Sequence, residues 1–325
     1  MVAIALDAPA ATKAPEHRPH RPWRALALVV AASASFAVVA ATIKELSQVE
    51  GCGAAPPILS RGLFGLLACL AWARSHRRSI RPSSWWFLLW RCGAGVGAIA
   101  CYYRALGPGG TDLVTAAMLL KTSPLWVALL SPLLLKERTG PRTWVALALG
   151  LAGVVIASLD PAHGWVPNFG QLGLGLALVS GLCSAFAYIA LRQLARTDDP
   201  VTVVATFSGA LMVVSLPVVL LSAHHVSAWE GRTWGLLLLA GLLGTVGQLF
   251  LTAAFTYSTA AAVTIGGLSE LAMQGGISVA RYGEVPTREA LIGGGLALVA
   301  GLLATPRLPR AAPAAPPSSS GTPSR

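Results

Sequence analysis

The sequence predicts an all-α integral membrane protein with ten transmembrane helices in two inverted five-helix repeats. Of its 325 residues, 54% are hydrophobic and only 11% are charged, and the mean hydropathy is +0.65. A soluble domain carries about 25% charged residues, because its surface must face water. The composition therefore excludes an ordinary soluble domain, and an internal repeat predicts the inverted arrangement.

The number of spans follows from the apolar runs. A helix needs about 20 mostly apolar residues to cross a hydrocarbon core of ~30 Å. Charges, prolines and glycine-rich turns divide the chain into ten such runs, joined by short loops. The runs are Ala25–Ile43, Pro57–Ala73, Phe87–Leu106, Leu113–Leu135, Trp144–Leu159, Leu172–Leu191, Val201–Ser222, Trp234–Phe255, Ala260–Ala280 and Ala290–Ala304.

The basic residues predict the orientation, because loops rich in Lys and Arg tend to stay cytoplasmic. With the N-terminus inside, sixteen of the 24 Lys and Arg residues fall in inside segments and four in outside segments. The remaining four lie within the runs or at their edges. We therefore predict a multi-pass protein of the plasma (inner) membrane with both termini cytoplasmic.

The net charge of +11 is explained by this membrane orientation, since no nucleic-acid-binding motif accompanies the basic residues. We expect the lipid bilayer and a small-molecule substrate as partners and no nucleic acid; a homodimer is an open alternative. Residues 1–23 and 305–325 have little apolar surface with which to fold, and we expect both to be disordered cytoplasmic tails.

Two halves of the chain are related by an offset of 147 residues. The segment Pro124–Arg138 then aligns with Leu271–Val285, and Ser123 falls on Glu270. Five spans per half is an odd number, so the two copies must have opposite orientations in the membrane. Inverted repeats are typical of secondary transporters, whose binding sites lie near the midplane between the halves. We predict a first repeat over 24–160 and a second over 170–304.

Several strings in both halves carry a family resemblance. In the first half they are Tyr103-Arg-Ala-Leu, Thr122-Ser-Pro-Leu-Trp-Val-Ala-Leu-Leu, Leu133-Leu-Leu-Lys-Glu-Arg and Ala148-Leu-Gly-Leu-Ala-Gly-Val; in the second, Gly241-Leu-Leu-Gly-Thr-Val-Gly-Gln-Leu, Ala254-Phe-Thr-Tyr, Gly283-Glu and Gly293 to Gly301. The first half resembles the EamA repeat of the drug/metabolite transporter superfamily, and the second half resembles it more weakly. The resemblance implies ten helices, a central cavity and alternating access without ATP hydrolysis.

Lys121 and Glu270 are predicted to be the two ionisable residues deep in the membrane. They lie eight and ten residues from the outer ends of their runs, or about 12 Å and 15 Å at the helical rise. Charge inside a membrane favours a functional site, so we predict that the two residues face each other across the cavity. They form either a switchable pair, in which substrate or a proton replaces one partner, or a permanent structural ion pair.

Three neighbours of Lys121 are further candidates for the substrate path. The three are Ser123, Pro124 and Trp126. Pro124 removes a helical hydrogen bond and therefore predicts a kink in the helix, which is either a gate or a static bend. Trp126 offers a stacking surface, with core packing as the alternative.

An outer vestibule is predicted from Lys44, Arg61, Tyr103 and Arg104. The three cations lie near outer ends of their runs, on the side that should be poor in positive charge. They either extend to the interface as long side chains do or attract an anionic or zwitterionic metabolite.

We therefore predict a secondary transporter that moves a small metabolite or xenobiotic by alternating access. A membrane receptor or scaffold with the same fold is the alternative, and a membrane-embedded enzyme is a weaker one. No acid–base pair, nucleophile constellation or metal cluster reaches the predicted core, so we expect no enzymatic activity, no cofactor and no metal.

Overall fold

The computed structural model describes residues 22–47, 49, 52–105, 119–137, 140–157, 172–221, 229–282 and 288–304. Within these ranges all regular secondary structure is helical. The helices are α1 (Pro22–Leu46), α2 (Ala55–Ser75), α3 (Trp85–Ala105), α4 (Ser123–Leu134), α5 (Pro141–Ala157), α6 (Leu172–Thr197), α7 (Pro200–Leu221), α8 (Gly231–Tyr257), α9 (Ala260–Gly266), α10 (Ser269–Tyr282) and α11 (Arg288–Ala304).

Helix length and surface composition both indicate a membrane protein. Among the described residues, five helical stretches are long and apolar enough to cross a bilayer: Pro22–Leu46, Ala55–Ser75, Gly175–Thr197, Pro200–Leu221 and Gly231–Tyr257. Many large apolar side chains are exposed at the surface of the helices. In a soluble monomer so much exposed apolar surface would drive association, whereas here it faces lipid. Exposed tryptophans lie near the first residues of four helices, where an indole ring suits the headgroup layer: Trp23, Trp85, Trp86, Trp144 and Trp234.

The predicted apolar runs and the helices differ most at the ninth run. Ala260–Ala280 is not one helix, since α9 ends at Gly266 and α10 begins at Ser269. The fourth run begins outside the described residues, and its helix is interrupted at Lys121 and Thr122 before α4 begins. The predicted tails, residues 1–23 and 305–325, also lie outside the described ranges, except for Pro22 and Trp23, which begin α1.

Four helix pairs form the most extensive contacts of the bundle. These pairs are α1 with α8, α2 with α7, α3 with α6, and α5 with α11. Each pair joins a helix that ends before residue 160 to one that begins after residue 170. The core is therefore built between the two halves of the chain rather than within each half.

Glycine brings α2 and α7 into backbone contact. A Cβ atom added at Gly62 would lie 2.7 Å from the Met212 nitrogen and 2.9 Å from the Ser208 carbonyl oxygen. Both of these are backbone atoms, so a larger residue cannot be accommodated by a side-chain rotation. Close backbone approach through small residues is a common basis of helix association in membranes, where lipid competes for apolar contact.

We predict that Gly62→Ala destabilises the protein by about 1–3 kcal/mol, the usual effect of overpacking. Gly209→Ala is the matched control, because Gly209 lies on the partner helix next to Ser208 and has no atom within 4 Å of an added Cβ. The measurement is the thermal unfolding midpoint of each purified variant in detergent. Equal midpoints for the two variants would contradict the assigned contact.

Candidate functional site

Two helices are interrupted at equivalent positions of the internal repeat. Between α9 and α10 the backbone tightens into turns with hydrogen bonds of three-residue spacing, from Leu268 N to Ile265 O at 3.0 Å and from Leu271 N to Leu268 O at 3.1 Å. The chain before α4 does the same, with Thr122 N bonded to Leu119 O at 3.2 Å. At the offset of 147 residues, position 121 falls on position 268. Discontinuous helices of this kind commonly form transporter binding sites.

Lys121 lies at the first interruption and contacts the second. Its Nζ donates to Glu270 Oε2 at 2.5 Å and to the carbonyl oxygen of Gly267 at 3.2 Å. Glu270 lies in the first turn of α10, where a helix N-terminus favours negative charge. Gln274 donates to the other carboxylate oxygen, Oε1, at 3.1 Å. Both members of the pair therefore have hydrogen-bond partners while their side chains are only 11% exposed.

The geometry explains how the membrane interior accepts these two charges. A single ionised side chain at the centre of a span costs about 2.5–3.5 kcal/mol on insertion scales. Pairing cancels the net charge, and the break in the helix supplies the carbonyl of Gly267 as a further acceptor. Removing one member of a buried pair leaves the other uncompensated, which costs about 3–5 kcal/mol.

The pair lines a central cavity of about 110 Å³. Residues of α1, α2, α3, α6, α7 and α8 form the remainder of its wall. Besides Lys121 and Glu270, the polar and aromatic lining residues are Phe36, Arg61, Arg91, Tyr102, Tyr103, Ser180, Ser184, Tyr188, Phe207 and Gln248.

Arg61 reaches this cavity from α2 and is 7% exposed. Its Nη1 donates to Tyr103 Oη at 3.0 Å, and its guanidinium lies 5.7 Å from the ring centre of Phe36. Gly244 of α8 makes room for the side chain, because a Cβ at that position would lie 2.7 Å from Arg61 Nε. Two of the four predicted vestibule residues, Arg61 and Tyr103, therefore belong to the wall of the central cavity.

Arg91 of α3 is a site residue that the sequence prediction lacks. It is 3% exposed and lies 3.9 Å from the ring centre of Phe207, and its Nε has no hydrogen-bond partner among the described residues. Because Arg91 lies four residues from the start of an apolar run, its side chain could be expected to reach the interface. The signal that could have identified it is Gly95, one turn further along α3, which leaves space for the guanidinium.

The cavity carries an excess of positive charge. Its described lining residues include three cations, Lys121, Arg61 and Arg91, and one carboxylate, Glu270. That carboxylate is held by Lys121, and in the described part of the chain neither arginine forms an ion pair. Buried charges are normally paired, so two uncompensated guanidinium groups mark this cavity as a site that lacks its counter-charge.

The other residues predicted around Lys121 do not line this cavity. Ser123 and Pro124 are the first two residues of α4, so the helix is interrupted before Pro124 rather than kinked at it. Proline is well suited to a first turn, where its missing N–H is not needed. Trp126 packs against a cluster of buried apolar residues. This contact corresponds to the alternative of core packing rather than to a stacking surface for substrate.

The remaining vestibule residues lie nearer the ends of α1 and α3. Arg104 is exposed and lines a second cavity of about 270 Å³. That cavity shares Tyr103 with the central one, so the two are adjacent. Lys44, in the last turn of α1, is half-buried and lines neither cavity.

One end of the bundle is held together by Glu137. Its carboxylate accepts hydrogen bonds from Arg192 Nε and Arg196 Nη2, both at 2.7 Å, and from the backbone nitrogen of Ala260 at 3.2 Å. Lys136, two residues after the end of α4, is in the left-handed conformation at φ 55° and immediately precedes Glu137. The contacts join the end of α4 to the end of α6 and the start of α9.

Glu137 remains ionised at neutral pH. Burial raises the pKa of this carboxyl, but the charge and hydrogen bond of Arg192, with the bonds from Ala260 and Arg196, more than offset burial. The pKa therefore lies below its ordinary value. A second acidic residue, Glu45, accepts from Arg232 at 2.8 Å and Arg281 at 3.0 Å, joining the end of α1 to the start of α8 and the end of α10.

Apolar helices around a cavity with buried charge, and helices interrupted where they line it, define a membrane transporter. The EamA-like transporter family model matches the chain twice, over residues 23–159 and 171–305. The protein belongs to this family and is a multi-pass integral membrane protein of the drug/metabolite transporter type.

Similar proteins are named as transporters rather than enzymes. The chain is 30% identical over 279 residues to a pseudopaline exporter, CntI, of Pseudomonas aeruginosa, covering 84% of this chain and 93% of the exporter. It is 26% identical over 250 residues to a riboflavin transporter of Vibrio cholerae, covering 75% of this chain and 80% of that protein. A crystal structure with 19% sequence identity superposes with a TM-score of 0.68, covering 86% of this chain and 96% of that chain, and supports the fold alone.

We predict that Lys121→Met lowers the free energy of unfolding by about 3–5 kcal/mol, because it leaves Glu270 buried without its cation. Adding Glu270→Gln removes the unpaired charge, and the double variant should recover most of the lost stability. The measurement is a double-mutant cycle of thermal midpoints in detergent. Additive effects of the two substitutions would show that the residues do not interact.

Proposed function

We propose that the protein is a secondary transporter that moves a small metabolite or xenobiotic across the plasma (inner) membrane by alternating access. The observation that carries this proposal is the ion pair between Lys121 and Glu270. It joins two equivalently interrupted helices at the wall of a cavity. A pair at this position can be exchanged for contacts with substrate or a proton when the helices separate.

The helix contacts support two inverted five-span repeats, over 24–160 and 170–304. In such a repeat, α1 to α3 correspond to α6 to α8, α4 corresponds to the α9–α10 pair, and α5 corresponds to α11. The pairs α1–α8 and α3–α6 then exchange, whereas α2–α7 and α5–α11 map onto themselves. A two-fold axis between the repeats gives such symmetric pairs, and an odd number of spans per repeat would place that axis in the membrane plane.

The two ion-pair clusters support the same topology. With ten spans and the N-terminus inside, the end of α1, the start of α8 and the end of α10 lie on the outer side, where Glu45 joins them. The contacts of Glu137 all fall on the inner side. Sixteen basic residues inside against four outside favour this orientation, with both termini cytoplasmic.

In this arrangement Glu137 closes the inner end of the cavity. Opening toward the cytoplasm requires α6 and α9 to move away from α4, which separates Glu137 from Arg192 and Ala260. The Glu45 cluster on the opposite side has the complementary role. Alternating access then exchanges one set of ion pairs for the other while the central pair contacts the substrate.

The transport assay uses purified protein in liposomes and begins with riboflavin and pseudopaline, the compounds named for the relatives. Compounds that raise the thermal midpoint extend the panel, since a ligand of the folded state stabilises it by mass action. A transporter gives protein-dependent flux of a bound compound. A receptor or scaffold would bind without flux, and an enzyme would form product.

We predict that Lys121→Met and Glu270→Gln each reduce this flux by about tenfold or more, because each removes an interaction worth over about 1.4 kcal/mol. The double variant should recover stability but not flux. Ser123→Ala is a control at a neighbouring buried residue outside the cavity wall. Normal flux in the double variant would assign the pair to the scaffold.

We predict that Glu137→Gln shifts the protein toward the inward-open state. The readout is the rate at which a membrane-impermeant maleimide labels Ser184→Cys from the cytoplasmic side, in a background without the five native cysteines. Glu45→Gln is the matched control and should slow labelling from that side. Because its contacts with Arg192, Ala260 and Arg196 hold the pKa of Glu137 below its ordinary value, its charge and the labelling difference should persist at every pH at which the maleimide reacts, and the charge should be lost only as the pH falls through that lowered pKa.

A further inference from the structure

We propose that Arg61 and Arg91 form an anion subsite in the central cavity, and that it takes a small organic oxyanion with two negative charges. The identification of this anion as the transported substrate rests on the proposed function. The subsite itself rests on the charge, burial and packing of the two arginines.

The charge balance of the cavity is the first argument. Glu270 is the one carboxylate among the described lining residues, and both of its oxygens are occupied, by Lys121 and Gln274. Among the residues that the structure describes, Arg61 and Arg91 therefore have no protein counter-charge. Both arginines line the same cavity, where like charges repel each other. A dianion between them would bring the lining charge to zero, and electrostatic attraction is strong where water is largely excluded.

The second argument is that the two guanidinium groups have prepared positions. A Cβ at Gly95 would lie 2.0 Å from Arg91 Nη1, and a Cβ at Gly244 would lie 2.7 Å from Arg61 Nε. Each arginine is thus accommodated at a glycine, and each faces an aromatic ring. A guanidinium fixed in this way loses less entropy when it binds a ligand.

Unused hydrogen-bond donors are the third argument. A guanidinium has five N–H donors in a planar fork that matches carboxylate and phosphate oxygens. Arg61 uses one of them on Tyr103. Arg91 Nε is buried with no partner in the described part of the chain, which is rare for a polar atom in a native protein. An oxyanion would satisfy these donors.

Cavity size limits the ligand to a small molecule. One water requires about 10–15 Å³ on this scale, so 110 Å³ holds roughly seven to eleven water-sized groups. That is room for a short dicarboxylate or a small phosphate ester. The rings of Phe36 and Phe207, which hold the arginines, also offer apolar surface to its carbon chain.

The test measures binding to the purified protein in detergent at constant ionic strength. The probes are succinate and glycerol 3-phosphate, and the neutral controls of similar size are succinamide and glycerol. We expect at least one anion to raise the thermal midpoint and to bind in titration calorimetry, with no effect of its neutral control. If neither anion binds better than its neutral control, the subsite does not exist.

Arginine variants locate the bound anion. Arg61→Gln and Arg91→Gln should each weaken binding about tenfold or more, the usual effect of losing a charge-assisted hydrogen bond. Arg74→Gln is the matched control, because Arg74 lies on α2 with Arg61 but is exposed at its end. Unchanged binding in both cavity variants would overturn the assignment.

A glycine pair provides a second test that keeps every charge. Gly95→Ala should displace the Arg91 guanidinium and weaken anion binding, whereas Gly93→Ala on the same helix meets no atom within 4 Å and should bind normally. Gly95→Ala and Arg91→Gln test the same guanidinium position. If one of these two variants does not fold, the other supplies the result. Equal binding by the two glycine variants would count against the Arg91 position.

The binding and transport results can be separated. Anion binding that depends on both arginines but gives no flux in liposomes would sustain the subsite and overturn the proposed function. Flux of another compound, in a protein that binds neither anion, would sustain the function and overturn the subsite.

Discussion

The structure depends on how ionised side chains are compensated where lipid and protein exclude water. Lys121 and Glu270 compensate each other's charge by forming an ion pair. This pairing requires that the two helices which carry them meet. The pairing also coincides with the break in the second helix, where the Gly267 carbonyl accepts both from the backbone nitrogen of Glu270 and from Lys121 Nζ, each at 3.2 Å. The broken helix and the ion pair therefore meet at one place, where irregular backbone lines a cavity rather than lipid.

Small residues determine where the remaining charges lie. Gly244 and Gly95 provide the space in which the side chains of Arg61 and Arg91 turn toward the cavity instead of the membrane surface. Gly62 brings α2 close to α7 and so fixes the helix that carries Arg61. Glycine thus allows close helix packing at Gly62 and makes room for a cavity side chain at Gly95 and Gly244. The atoms next to each glycine distinguish these two roles.

Sequence alone predicted the parts of the site that depend on local pattern. Lys121 and Glu270 stand out because each interrupts a long apolar run at a similar depth, and the repeat relates their helices. Arg91 was missed because its position depends on Phe207, a ring 116 residues away in the chain. The break between α9 and α10 was missed as well, since the apolar run continues through Gly267 and Leu268 without a charge or proline to end it.

Cavity charge connects the site to the energetics of a transport cycle. Without ligand the described lining residues include three cations and one carboxylate, a net charge of about +2 when all four are ionised; the proposed dianion would bring it to zero. Each elementary charge that crosses the full membrane potential corresponds to about 2.3 kcal/mol per 100 mV. In the proposed alternating-access cycle, an inside-negative potential would therefore favour the inward-facing state of the empty carrier and leave the loaded carrier nearly unaffected. Return of the empty cavity to the outer side would then be the step that opposes the field, so Arg61 and Arg91 would control the direction of the cycle as well as the choice of substrate.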